Sequence, residues 1–421
     1  MSGLPELRQA RLKAPADLEE AEKAALHKYY LARHAEDYRA QASRLASIIA
    51  RQRDVRRRSA VTHVMEEKTD SMPFAHVLIR GMYDQPGERV EAATLSALGP
   101  MPASLPRNRL GLARWLVNDS NPLTARVTVN RFWQEVFGVG IVPTSEDFGS
   151  QGQPPSNPEL LDWLAVEFRD GGWNIKDFFR LMVTSSTYRQ SAAATAEKLE
   201  KDPLNVLLSR GPRFRMDAEV VRDYALAASG LLVEHVGGPS VKPYQPNRIW
   251  ETVAMTQSNT QFYTQDHGEE LYRRSLYTFW KRSAPPPAME IFNAPTREQC
   301  TVRRERTNTP LQALLTMNGP GFVEAARNLA LGAVADRSDF DSRLDFMTMR
   351  VLARSFESRE RRIVREVYED YLSHYEASQA DADSLLSVGE SPLDSRAQPA
   401  ELAALTMLAN QLLNLDEALN K

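Results

Sequence analysis

Four times between residues 121 and 310 a capping side chain stands directly before a proline: Asn121 in NPLTARV, Asn157 in NPELLDWLA, Asp202 in DPLNVLL and Thr309 in TPLQALL. Asn, Asp or Thr at the N-cap accepts a free backbone N–H. Proline one position on forfeits no donor the helix needs, and its φ is already helical. The residues between these points do not match one another, so the signal marks four separate helix starts and not a repeat. Thr309 with Gln312 also fits a capping box. A chain punctuated in this way is expected to be mainly α, with only minor β elements.

The remaining punctuation divides the chain. From Ala16 to Arg58 there is no Pro or Gly, and apolar residues recur at helical spacing (Leu18, Ala21, Ala25, Tyr29, Ala32, then Tyr38, Ala42, Leu45, Ile49). Residues 1–60 therefore read as one long helix or a helical hairpin. It ends in RQRDVRRRS, whose arginines suit the negative pole of the helix dipole. Residues 61–106 read as an extended connector, with a short β-prone run before Gly81 and a turn at Gln85, Pro86 and Gly87. Residues 107–335 form the main multi-helix domain. It includes a helix from about Asp217 to Leu232 and a break at Asn318, Gly319 and Pro320. Residues 336–421 supply C-terminal helices packed on that domain. A polar linker near Gly389 to Pro399 precedes a last helix with a broad apolar face.

Composition narrows the function classes. The formal charge of −3 gives no general affinity for nucleic acid. A lone cysteine, Cys300, rules out an intramolecular disulfide, a Cys-x-x-Cys-His haem attachment or a cysteine zinc site, so no cofactor is expected within this chain. No apolar run approaches the ~18 residues that span a bilayer. The polar N-terminus lacks the apolar core of a secretory signal. Read as it stands, the chain is cytoplasmic; read as part of a longer one, it belongs to the periplasm or cell envelope.

The familiar catalytic signatures H-E-x-x-H, G-x-S-x-G, the P-loop and G-x-G-x-x-G are missing. FGVGIV, around Gly138 and Gly140, reads as a helix stop. His63 and His76 flank Glu66 and Glu67, residue types that hold metals, although surface histidines have the same appearance. Cys300 lies near Arg303 and Arg304, which favour a thiolate; the plainer reading is a buried or half-buried structural thiol.

The strongest candidate is the belt from Leu271 to Arg306. It interleaves Arg273, Arg274, Trp280, Arg282, Arg303, Arg304 and Arg306 with further aromatics and prolines. Asp217, Glu219 and Asp223, at one-turn spacings in PRFRMDAEVVRD, offer the complementary charge. Two readings stand. Arginine forks and aromatic faces suit an anionic ligand such as an acidic carbohydrate; the same groups can also pair among themselves and pin helices together.

The blocks RLGLARWLV, NPLTARVTVNRFWQEVFGVGIV, EDFGSQGQPPSNPELLDWLA, SSTYRQS, PRFRMDAEVVRDYALAASGLL, GGPSVKPYQP, LYRRSLYTFWKR and RRERTNTPLQAL follow one another in order. Together they resemble a planctomycete-specific domain family of unknown function, over roughly Arg80 to Glu417. Members typically form the C-terminal part of large, exported proteins with a second uncharacterised domain and often a cytochrome-c-like domain. The resemblance implies a haem upstream or in a partner protein, outside these residues, and supplies no catalytic residue. It also implies histidine at the position of Asn157 and aspartate at that of Asn293.

Two function classes follow. One is a non-enzymatic binding or scaffolding module of a cell-envelope, cytochrome-associated assembly. The other is an enzyme acting on an acidic or sulfated polysaccharide through an arginine/carboxylate cleft.

Overall fold

The computed structural model describes residues 12–59, 61–68, 70–335, 337–393 and 398–420, together with Leu7 and Ala10. The sequence expectations for the extreme N-terminus and for the middle of the polar linker (394–397) lie outside the described residues. The chain divides into two compact units, Met1–Ala92 and Ala93–Lys421.

In the first unit the stretch read as one long helix or a helical hairpin consists of two helices, α1 (Glu20–Arg33) and α2 (Glu36–Arg58). The break falls where Ala35 turns extended (φ −83°, ψ 103°) and the Tyr30 carbonyl accepts from both His34 and Ala35. No Gly or Pro is needed for it, so residue type gave no warning. Both helices begin with acidic residues and end with arginines, in keeping with the dipole. The connector contains a hairpin of β1 (Phe74–Leu78) and β2 (Pro86–Glu91). Its antiparallel register pairs Phe74 with Glu91 and His76 with Arg89, with an irregularity before Leu78. The chain reverses through Arg80 and Gly81, both at positive φ, so Pro86 and Gly87 sit in the second strand and not in the turn.

The second unit opens with α3 (Arg109–Leu116), α4 (Thr124–Phe137), α5 (Pro158–Asp170), α6 (Ile175–Thr184), α7 (Ser186–Arg189) and α8 (Ala196–Lys201). It continues through α9 (Ala218–Ser229), α10 (Pro287–Ile291), α11 (Pro310–Asn318), α12 (Pro320–Ala335) and α13 (Phe340–Leu352). It closes with α14 (Ser358–Ala377), α15 (Gln379–Leu386), α16 (Pro399–Leu413) and α17 (Asp416–Leu419).

The four cap–proline signals resolve differently. Thr309 caps α11 through its hydroxyl, but Gln312 turns away to the Ile291 carbonyl and Thr307, so the capping box is only half made. Asn157 occupies the N-cap of α5 without a side-chain cap bond. Asn121 accepts from the Leu123 and Thr124 amides one turn ahead of α4, whose N-cap is Leu123. Asp202 starts no helix. It closes α8, its carboxylate accepts from the Leu207 amide, and Asn205 and Leu208 at positive φ keep DPLNVLL irregular.

The largest core is built around α16, which packs against α11, α12, α13, α14 and α15. Its Leu402, Leu405, Leu408 and Leu412 are all but inaccessible, and alanines at 403, 404 and 409 let neighbouring helices approach closely. Each such leucine contributes about 1.5–3 kcal/mol relative to an exposed one. A helix whose apolar face spans most of its circumference is drawn inside, and the buried Thr406 of α16 returns its hydroxyl to the Leu402 carbonyl. A second, aromatic core joins α4, α5 and α6 through Trp133, Phe137, Phe168 and Phe178. Helix α9 serves both sides: Ala225 and Ala228 face the large core, while its first turn carries Asp217 and Glu219 toward the arginine segment.

Candidate functional site

Helix α4 ends at Phe137 because Gly138 adopts φ 85°, and a side chain there would run into the ring of Phe214. The chain then folds back through Gly140 to Val142. Asn130, fully buried in α4, fixes that return. Its side-chain amide donates to the Val142 carbonyl (3.1 Å) and Ser145 Oγ (3.0 Å) and accepts from the Val142 amide (2.8 Å). Opposite this corner runs the segment 303–306. Arg306 Nη1 donates to the Gly138 carbonyl (2.7 Å), and its guanidinium lies 4.2 Å over Phe214.

Between these parts is a cleft of ≈ 540 Å³. Trp133 and Phe137, stacked at 4.0 Å, form an aromatic wall. Arg303, Arg304 and Arg306 stand on another side, and Ser156, Asn157 and Asn205 add neutral hydrogen-bonding groups. Val139, Leu204 and Val206 form an exposed apolar rim.

The charges are largely matched. Arg304 binds both carboxylate oxygens of Glu219 (3.3 Å from Nη2) and lies 3.7 Å from Asp217. Burial, the largest single influence, would raise the Glu219 carboxyl, but the Arg304 hydrogen bond, its own backbone N–H and the charges of Arg304 and Arg297 together outweigh it and hold that carboxyl below the usual range. Arg303 meets Glu146 at 3.0 Å, with both side chains about half exposed, so this pair can exchange partners. Arg306 has no carboxylate in ion-pair contact among the described pairs, and its Nε is buried without a partner. Glu135, on α4, is raised by the protein packed around its carboxyl and then by Asp217, although the residue as a whole keeps solvent contact.

The other sequence candidates lie elsewhere. Arg273 is 1% exposed and donates to the carbonyls of His235, Gly237 and Pro239 while stacking on Tyr277. Asp223 accepts from the Ser275 amide (2.7 Å), and neighbouring Arg222 donates to the Leu271 and Arg273 carbonyls. These groups fasten the 270s segment to α9. Arg274 lies 4.0 Å from Glu234. Trp280 donates to the Thr296 carbonyl beneath the Arg297 guanidinium. Arg282 is exposed and edges a shallower hollow with Lys281, Ser258, Thr260 and Glu298. The belt is therefore one segment in sequence but several places in space.

Cys300 is exposed, which corrects the expectation of a buried thiol. No group of three His, Cys, Asp or Glu among the described residues could hold a metal, and His76 instead contacts the Gly87 carbonyl (2.9 Å). No helix among the described residues is long and apolar enough to cross a membrane. Sequence reasoning missed Trp133, Phe214 and Glu135. NRFWQEVFG held an aromatic-plus-acid signal, but only the fold shows that it faces RRER.

The family described as "PSD1: Protein of unknown function (DUF1553)" matches residues 108–368, more than half of the chain. The chain belongs to that family. Neither a curated protein nor a solved structure matches it. Every cleft-lining residue, from Trp133 to Arg306, lies within the DUF1553 match, whereas α16 and Asp416, the ion-pair partner of Arg213, lie beyond it. Asn157, where the resemblance expects histidine, lines the cleft. Asn293, where it expects aspartate, lies at φ 57° and donates to Thr307 Oγ1 (2.7 Å).

Proposed function

We propose that this DUF1553 protein is a non-enzymatic binding module whose α4/303–306 cleft takes an anionic ligand, with an acidic or sulfated glycan as its class. One observation carries the reading: four arginines, Arg213, Arg303, Arg304 and Arg306, line one cleft that has an aromatic wall and neutral amide groups and a single acidic residue, Glu305, while Asp217 and Glu219 serve as counter-ions of Arg304. Arginine presents a planar fork to sulfate or carboxylate oxygens, and Asn and Ser side chains suit hydroxyls. The resemblance to C-terminal parts of exported proteins with cytochrome-c-like domains supports a place in a cell-envelope assembly, the haem belonging to another domain or a partner.

The enzymatic alternative rests on the carboxyl pair that the fold pushes apart, Glu135 raised and Glu219 lowered, an arrangement that can separate acid from base. Against it, Glu219 is held by Arg304 and neither carboxylate lines the cleft.

Calorimetric titration with carrageenan oligosaccharides, and with uncharged agarose oligosaccharides as control, tests the binding reading. Arg303→Ala/Arg306→Ala is the informative variant, because removing Arg304 would strand Glu219. Binding of the sulfated probe alone, weakened roughly tenfold or more in the variant, is the expected result. Equal affinity of wild type and variant, or no binding at all, removes the proposed site. Release of reducing ends from carrageenan by the wild type would favour the enzyme instead.

A further inference from the structure

We infer that α2 is a self-pairing helix: two copies of this chain lie antiparallel along it, about a twofold axis between Ala46 and Ser47. No residue of α2 is buried, although Tyr38, Leu45, Ile48, Ile49 and Val55 form an apolar stripe, with Leu45 57% and Ile48 55% exposed. A stripe of this kind on a 23-residue helix, about 34 Å long, asks for a partner of matching length.

The stripe identifies that partner by its own symmetry. All of its positions except Ile49, together with Gln41 and Gln52, fall into two series of seven-residue spacing, Tyr38–Leu45–Gln52 and Gln41–Ile48–Val55, the pattern of a coiled-coil seam. Reversing the helix about its midpoint sets Leu45 against Ile48 of the second copy, Gln41 against Gln52 and Tyr38 against Val55. The inner layers thus meet their own kind, aliphatic with aliphatic and amide with amide, and at each end the large Tyr38 ring packs on the smaller Val55. On one flank Ala42 comes beside Ile49. A twofold pair requires this self-complementarity, because the same patch must serve on both copies.

The charges select the direction. The first turn carries Glu36 and Asp37 and the last turn Arg56, Arg57 and Arg58. A parallel pair would bring the arginine ends together. The antiparallel pair sets each acidic end against a basic one, with Asp37 beside Arg58 of the second copy, a residue now held within its own helix by Asp54. The register contains one like-charge meeting, Arg44 with Arg51, on the flank opposite Ala42.

That unfavourable meeting supplies the decisive test. Light scattering and sedimentation of the full chain, followed up to about 100 μM, are expected to show a concentration-dependent dimer. Leu45→Glu/Ile48→Glu should be monomeric with an unchanged circular dichroism melt of the helical domain. Arg44→Glu replaces two repulsions by two Glu–Arg attractions and should tighten the dimer roughly tenfold; in a parallel pair position 44 would face Ile49 and gain nothing. A monomeric wild type, as expected if the stripe is covered within one chain, overturns the inference. So does a dimer indifferent to Leu45→Glu/Ile48→Glu, or one that Arg44→Glu fails to strengthen.

Discussion

Glu324 offers the sharpest test of how the second unit is held together. It is wholly buried in α12, and a single oxygen, Oε1, accepts from the Tyr272 hydroxyl (2.8 Å), the Glu390 amide (2.7 Å) and the Ser391 amide (2.6 Å). Arg327, one turn on and 2% exposed, lies 3.7 Å from Oε1 and donates to the Leu386 and Ser391 carbonyls. Gly389, at φ 91°, lets the loop approach so closely that any Cβ there would overlap the Glu324 carboxyl group. The carboxylate thus clasps the 389–391 loop to α12 and is, among the described residues, the one carboxylate within ion-pair distance of the buried Arg327. Glu324→Ala removes all of this. The Tyr272 hydroxyl and Ser391 amide lose their acceptor, whereas Glu390 N–H retains the Tyr244 hydroxyl (3.0 Å). At about 1–3 kcal/mol for each buried orphan, and with an uncompensated buried cation besides, the loss should be about 4–6 kcal/mol. For a unit of this size that corresponds to a melting shift of roughly 6–9 °C. Glu324→Gln keeps an acceptor at the same place and gives up only the charge, so about 1.5–3 kcal/mol is expected. Thermal melts followed by circular dichroism, with hydrogen exchange at the Glu390 and Ser391 amides, measure both. If Glu324→Ala shifts the melt no further than Glu324→Gln, the clasp does not hold the loop and the reasoning fails.

Three further outcomes are expected. Because the Glu219 carboxyl is held low in the folded chain, its bond to Arg304 stabilises above the ~4.3 of an unfolded glutamate and is lost as pH falls through the lower folded value. The melting difference between wild type and Arg304→Ala should accordingly be largest near neutrality and shrink in acid; a pH-independent difference would contradict the pairing. The raised Glu135 carboxyl has the opposite sign: its protonated form favours the fold, and that advantage is lost as pH rises through the folded value. Glu135→Gln should therefore raise the melting temperature at pH 7–8 and give no gain below about pH 4, checked by melts across that range. Asn130→Ala strands the Val142 amide and leaves the Val142 carbonyl only the long Ser145 contact (3.5 Å), while the Ser145 hydroxyl keeps Gln134, so a loss of about 2–3 kcal/mol in urea titrations is expected, together with weaker carrageenan binding as the cleft wall loosens.

Helix content was legible where local chemistry dictates it. Thr309 caps α11, Gly138 ends α4, and the apolar residues of α16 set that helix against the core. Local chemistry failed where two local options compete. Asp202 can open a helix after itself or close the one before it, and the amides of the 206–209 turn decided for the second. The arginine belt was legible as charge but not as location. Arg273 and Arg303 have the same side chain. One is taken up by three carbonyls of the 235–239 loop and the other meets an exchangeable partner at a cleft mouth. That difference depends on segments tens of residues away, and no short window of sequence contains it.

The position of α16 in the chain has a consequence for how the protein comes to be folded. The alanine-rich faces of α12, at Ala325, Ala326, Ala330 and Ala333, are sealed by a helix that is synthesised after α13, α14 and α15. The main core therefore cannot close progressively as the chain emerges, and α12 must wait, exposed, for a late arrival. A fragment cut to residues 108–368 would keep every residue that lines the cleft and lack the helix at the centre of that core. Such a fragment should meet chaperones and proteases as an unfinished protein, and the cleft should form in full only when residues 399–413 are present to close the core on which α9 rests.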